Sequence, residues 1–173
     1  MPTSYQAPMA GDKANRRTVS QSLASNAKQD TGRVQNLLDG KGGDVITIAE
    51  TDTLATAVQV LRDKRIGALI VVNDSGTLAG ILSERDIVRK LADTPGQTLP
   101  QSVADNMTAK VVTCAPDDSL IVVLRQMSEG RFRHMPVVQG SKLLGMITIG
   151  DVISYRLNEL EHEALQLKQL IVG

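Results

Sequence analysis

The apolar positions of this chain fall into two nearly identical rounds. In the first, Val45-Ile46-Thr47-Ile48 is compact enough for a strand. Asp52 or Thr53 then caps a helix whose apolar residues Leu54, Ala57, Val58 and Leu61 recur at helical spacing. Ala68-Leu69-Ile70-Val71-Val72 is short and rich in β-branched residues, which predicts a buried strand. Asn73-Asp74-Ser75-Gly76 makes a tight turn, and Leu78 to Leu82 returns as the second arm of a hairpin. A helix over about 84–92 closes the round before Pro95-Gly96 breaks the chain.

The second round keeps the order. Val111-Val112-Thr113 matches the first strand, and Asp118-Ser119-Leu120 matches the capped helix start. Leu120, Val123, Leu124 and Met127 form the next helical stripe. Met135-Pro136-Val137-Val138 is the buried strand, Gln139-Gly140-Ser141-Lys142 the turn, and Leu143 to Thr148 the returning strand. Each round therefore reads strand–helix–strand–strand–helix, an α/β class with mixed sheets. A small sheet with helices on one face leaves its other face bare, so the two units are expected to pack as a pseudo-twofold pair. The expected divisions are a disordered or loosely ordered tail over 1–30, repeats over 34–95 and 100–158, and a C-terminal helical extension over 159–173. Ahead of the first strand, Val34 to Leu38 is a short apolar patch, and 39–43 reads as a loop.

The last helix outruns its counterpart. From Gly150 the pattern continues to about Ile171, with Ile153, Leu157, Leu160, Ala164, Leu167 and Ile171 on a seam of period 3.5. Ile153 and Leu157 are expected to cover the repeat's own sheet. From Leu160 onward the seam predicts a homodimer through a second copy of the helix, because a lone helix of that length is marginal in water.

Chemistry is suggested where the last strand of each round meets its helix. Gly145-Met146-Ile147-Thr148-Ile149-Gly150-Asp151 and Gly80-Ile81-Leu82-Ser83-Glu84-Arg85-Asp86 share Gly, an apolar pair, a hydroxyl and Asp, at an offset of 65 residues. The first NH groups of a helix lack intrahelical partners and suit an anion. A Ser or Thr hydroxyl adds a hydrogen bond to a phosphate, and a carboxylate one turn in can accept the hydroxyls of a ribose. The plainer role for the same residues is helix capping.

Charge narrows the field. Lys and Arg number 19 against 19 Asp and Glu, and Tyr5, Phe132 and Tyr155 are the aromatics, which argues against general nucleic-acid binding. The lone Cys114 excludes an intrachain disulfide framework and fits a reducing compartment. It reads as core, with no spacing for zinc, so no metal is expected. No apolar run approaches the length needed to span a bilayer. The first thirty residues lack a signal-peptide core, and their Arg16, Arg17 and several Ser only faintly resemble an organelle transit peptide; the expectation is cytoplasmic. Lys41-Gly42-Gly43 lacks the order of a P-loop.

Duplicated units that each end in Gly-apolar-apolar-Ser/Thr-x-x-Asp resemble a tandem pair of CBS (cystathionine β-synthase) domains of the small stand-alone kind, over about 34–160. The resemblance implies a disc-like module with two clefts between the repeats. Such modules bind AMP, ADP, ATP, sometimes dinucleotides such as NAD(H) or S-adenosylmethionine, and regulate something else, commonly as dimers. It also implies that basic residues just ahead of the buried strand reach the phosphates, a place that Arg133 and His134 hold, with Arg131 nearby. Thr148 with Asp151, and Ser83 with Asp86, would hold phosphate and ribose.

Adenine needs an apolar slot with backbone groups at its edge. Asp44 to Ile46 and Thr108 to Val112 are expected to supply it, with Ile66 and Pro136 as walls and no aromatic to stack. Because Arg133 and His134 lie in the same repeat as Asp151, and Glu84 would repel a phosphate at Ser83, the Asp151 cleft is expected to be the stronger. Two other readings stand beside a nucleotide sensor. One is a dimerising or docking module with vestigial clefts that regulates a partner enzyme or transporter. The other is an enzyme, for which neither His134 nor any other residue offers a catalytic pair.

Overall fold

The computed structural model describes residues 32–42 and 45–172 of the chain; the tail over 1–30 and Asp44 lie outside them. The chain opens with helix α1, Val34–Lys41. This corrects the expected loop over 39–43: the helix runs through Asp39 and Gly40, and Gly42, at φ 79°, follows it. Propensity yields here to packing, because Val34 is fully buried and Leu37 and Leu38 pack on an apolar core.

The first repeat follows as β1 (Thr47–Ala49), α2 (Leu54–Lys64), β2 (Ala68–Val72), β3 (Leu78–Ser83) and α3 (Glu84–Asp93). The sheet order is β1-β2-β3, with β1 parallel to β2 and β2 antiparallel to β3. Thr53 caps α2, its Oγ1 accepting from the Thr56 amide at 3.3 Å, while the Asp52 carboxylate accepts from the Ala49 amide. Leu54, Ala57 and Leu61 face inward as expected, whereas Val58 is 38% exposed.

The second repeat comprises α4 (Leu120–Gly130), β4 (His134–Gln139), β5 (Lys142–Thr148) and α5 (Ile149–Val172). Its hairpin pairs His134 with Thr148 and Val137 with Gly145. The expected strand at 111–113 does not form. What remains is a bridge between Cys114 and Val137, with the Cys114 amide donating to the Pro136 carbonyl and the Val138 amide to the Cys114 carbonyl. Pro136 has no N–H, so β4 lacks a donor where Ile70 of β2 has one, and the parallel ladder shortens accordingly.

Two apolar cores result, one centred on Leu54, Leu69 and Leu82, the other on Leu120, Met135 and Ile147. Each is completed by the segment that leads into the other repeat. Val34, ahead of the first repeat, is in the second core; Val103, ahead of the second, is in the first. Backbone bonds hold both exchanges, from the Val34 amide to the Asp118 carbonyl and from the Val103 amide to the Asp52 carbonyl.

Ile153 and Leu157, expected to cover the repeat's own sheet, are instead 45% and 55% exposed, and Val152 is the buried residue of that turn. Beyond it, Leu160, Leu167 and Ile171 stay exposed along α5.

Candidate functional site

The β3–α3 junction is built as a reciprocal cap. Ser83 Oγ accepts from the Asp86 amide at 3.3 Å, and Asp86 Oδ2 accepts from the Ser83 amide at 3.0 Å and from Ser83 Oγ at 2.6 Å. This junction forms one wall of a cleft of about 640 Å³. Thr108 and Val112 line it, as do Arg131, Phe132, Arg133 and His134 from the second repeat. Arg85 spans the two repeats there, donating from Nη1 to the Arg131 carbonyl at 3.3 Å.

Six of the predicted site residues thus meet in one place: Ser83, Asp86, Thr108, Val112, Arg133 and His134. The pairing differs from the expectation. Arg133 and His134 face the Ser83–Asp86 junction of the other repeat, which overturns the first reason for ranking the Asp151 cleft above it, while Glu84 stands in the lining beside Ser83. His134 stands between the two junctions. Its ring atoms Cε1 and Nε2 are 3.5 Å from where a Cβ on Gly67 would sit, and its backbone pairs with Thr148. Burial pushes its imidazole below the usual value, helped by Lys41 and Arg133 and opposed by Asp151 and Glu84.

Thr148 and Asp151 form the matching cap outside this cleft. The Thr148 amide donates to Asp151 Oδ2 at 2.7 Å, and the Asp151 amide donates to Thr148 Oγ1 at 3.1 Å. Lys41 adds a third partner, its Nζ standing 2.6 Å from Asp151 Oδ2 and 3.3 Å from the Met146 carbonyl oxygen. Burial pushes the Asp151 carboxyl up, but hydrogen bonds from Lys41 and Thr148 outweigh it and hold the group below its ordinary value. Ile46 and Ile66 do not line the cleft either; they pack on the first core. Pro136 is in β4, where its carbonyl accepts from Cys114.

Several lining residues went unread in the sequence. Arg85, Arg89 and Lys110 join Arg131 and Arg133, so five cationic side chains face two carboxylates, Glu84 and Asp86. Arg85 and Arg89 sit one helical turn apart on α3, a spacing that could have flagged them. Phe132 also lines the cleft, which corrects the expectation that no aromatic is at hand. The Thr108 backbone is committed to β3, exchanging both bonds with Ile81, so its amide and carbonyl do not serve a base edge.

Two helix–hairpin units that complete each other's cores and share a polar cleft define a paired-repeat module. The chain belongs to the CBS domain family, whose sequence pattern matches residues 43–93 and 102–158. It is 30% identical over 148 residues to the mitochondrial CBS domain-containing protein CBSX3 of Arabidopsis thaliana, covering 81% of this chain and 72% of that one. Its fold matches the crystal structure of the CBS-domain containing protein ATU1752 from Agrobacterium tumefaciens with a TM-score of 0.71 at 38% identity, over 73% of this chain and 94% of the other. The CBS domain pair of protein MJ0100, solved with 5′-methylthioadenosine and S-adenosyl-L-methionine, shares the fold at a TM-score of 0.66 and 24% identity, over 75% and 98% of the two chains. Among the described residues no helix is long and apolar enough to cross a membrane.

Proposed function

We propose that this chain is a non-enzymatic regulatory module that takes an adenine nucleotide, AMP, ADP, ATP or NAD(H), in the cleft between its repeats. One observation carries the reading: the Ser83–Asp86 junction and the Arg131, Arg133 and His134 cluster come from different repeats and line the same cleft. The positive end of α3 and the guanidinium forks suit phosphates, the Asp86 carboxylate suits ribose hydroxyls, and Val111, Val112 and Phe132 offer apolar surface to a base. A ligand there touches both repeats, so it biases their relative arrangement by its difference in affinity between states. That the MJ0100 pair holds adenosine compounds in this fold is compatible with the reading.

A second reading, a dimerising or docking module with vestigial clefts, is favoured by the apolar face that α5 leaves bare. Titration calorimetry with each nucleotide, on protein freed of bound small molecules, separates the two. Micromolar binding with a matching rise in melting temperature supports the sensor. No heat and no thermal shift with any nucleotide supports the docking module.

A further inference from the structure

The two junctions carry the same cap, but the segments that lead into the repeats engage them differently. Leu38 of α1 presses on the start of the second motif, its Cδ2 only 2.8 Å from where a Cβ on Gly145 would stand. One turn on, Lys41 reaches over the motif's end and ties Asp151 Oδ2 to the Met146 carbonyl. At the first motif Val103 and Met107 stand where Val34 and Leu38 do, on Asp52 and Gly80 in place of Asp118 and Gly145, so the residue three beyond Met107, as Lys41 is three beyond Leu38, is Lys110. Lys110 lines the cleft beside Ser83 and Asp86, and among the described residues it makes no ion pair with Asp86. The hydrogen bonds on the Asp86 carboxylate come from Ser83.

We propose that Lys41 closes the second junction from within, so that each chain takes one nucleotide, at Ser83–Asp86, and Lys41 sets that stoichiometry. The inference rests on the nucleotide-binding reading. In the closed junction the ammonium sits on Asp151 Oδ2, one of the two carboxylate oxygens that a ribose diol would use. Lys41 and Asp151 side chains retain 43% and 27% of their exposure, so the pair is partly shielded from competing water. A nucleotide entering there must first displace a cation that the chain itself holds against the carboxylate. At Asp86 no such displacement is needed.

The test is equilibrium dialysis and calorimetry of the full chain with ADP, then AMP, ATP and NAD(H). Wild type is expected to bind one nucleotide per chain. Lys41→Asn, which removes the cation and keeps a polar side chain, is expected to bind two, and so is Lys41→Met, which keeps the aliphatic stem on α1. Asp86→Ala is expected to lose binding, and Asp86→Ala with Lys41→Asn to regain one site. Wild type binding two, or both Lys41 variants folded and still binding one, would overturn the inference and leave the functional reading standing. Absence of binding in every variant would overturn both. Should Lys41→Asn fail to fold, Lys41→Met decides.

Discussion

Asp86 and Asp151 occupy matching places, each capping its helix through the hydroxyl residue three positions earlier, yet Asp151 alone of the two is held by a lysine. The predicted consequence is an unequal pair of mutants. Asp86→Ala is expected to weaken nucleotide binding by about tenfold or more, the scale of a lost charge-assisted bond. Asp151→Ala is expected to leave affinity within about twofold while costing on the order of 1 kcal/mol of stability through its cap. Calorimetry beside thermal melts of both variants checks this; a greater affinity loss at Asp151 would refute the assignment.

Arg65 and Arg131 both follow a helix in the left-handed region, at φ 54° and 55°. A side chain there costs on the order of 1 kcal/mol that glycine avoids. Arg65→Gly is expected to raise the melting temperature and leave nucleotide affinity unchanged. Arg131→Gly is expected to gain similarly in backbone strain but lose affinity, since Arg131 lines the cleft. A paired melting and binding measurement tests the contrast. Equal affinities in the two variants would remove Arg131 from the site.

His134 supplies a pH test. Its imidazole titrates below the ordinary 6.5 because burial disfavours the cation. The unfolded chain therefore binds its proton first, and stability falls as pH drops below about 6.5. Asp151 acts in the same direction in a lower window. Its depressed carboxyl adds stability above 3.8 that is lost as pH falls through its folded value. NMR titration is expected to show His134 low in the free protein and shifted upward with ADP bound. An imidazole indifferent to ADP would place the phosphates elsewhere.

Cys114 is 3% exposed in the second core, and its thiol is pushed up to about 12, chiefly by burial and further by Asp118. It is expected to resist a thiol reagent in the native protein and to react once denaturant unfolds the chain. Fast labelling of the folded protein would contradict its place in the core.

The exposed seam on α5 is expected to pair two chains. A parallel arrangement sets Arg156 opposite Glu161 of the partner subunit and Glu163 opposite Lys168 of the partner subunit. Full antiparallel overlap would bring Glu161 and Glu163 each against its own copy. Light scattering is expected to give a dimer that chains cut after Arg156 do not form. A monomeric full-length protein, or a truncated one still wholly dimeric at low micromolar concentration, would remove α5 from the interface.

Local pattern made much of this fold legible. The stripe Leu54, Ala57, Leu61, the run Ala68 to Val72 and the repeated Gly-to-Asp junctions all report on neighbours within a few residues, and there the elements formed as expected. Expectations failed where a distant residue had the last word. The strand at 111–113 depended on a donor that Pro136, across the sheet, lacks. The loop over 39–43 became helix because Val34, Leu37 and Leu38 found the second core.

The candidate site divides along the same line. The sequence by itself determined two capped helix starts with a hydroxyl and a carboxylate, because capping is a matter of three consecutive backbone steps. Which cations face which cap was decided only by tertiary structure. Packing of the two repeats turned Arg133 and His134 toward Ser83 and Asp86, and the exchange of leading segments carried Lys41 to Asp151, 110 positions along the chain. No local period encodes either meeting, since both follow from two apolar faces burying each other and from what that burial brings alongside.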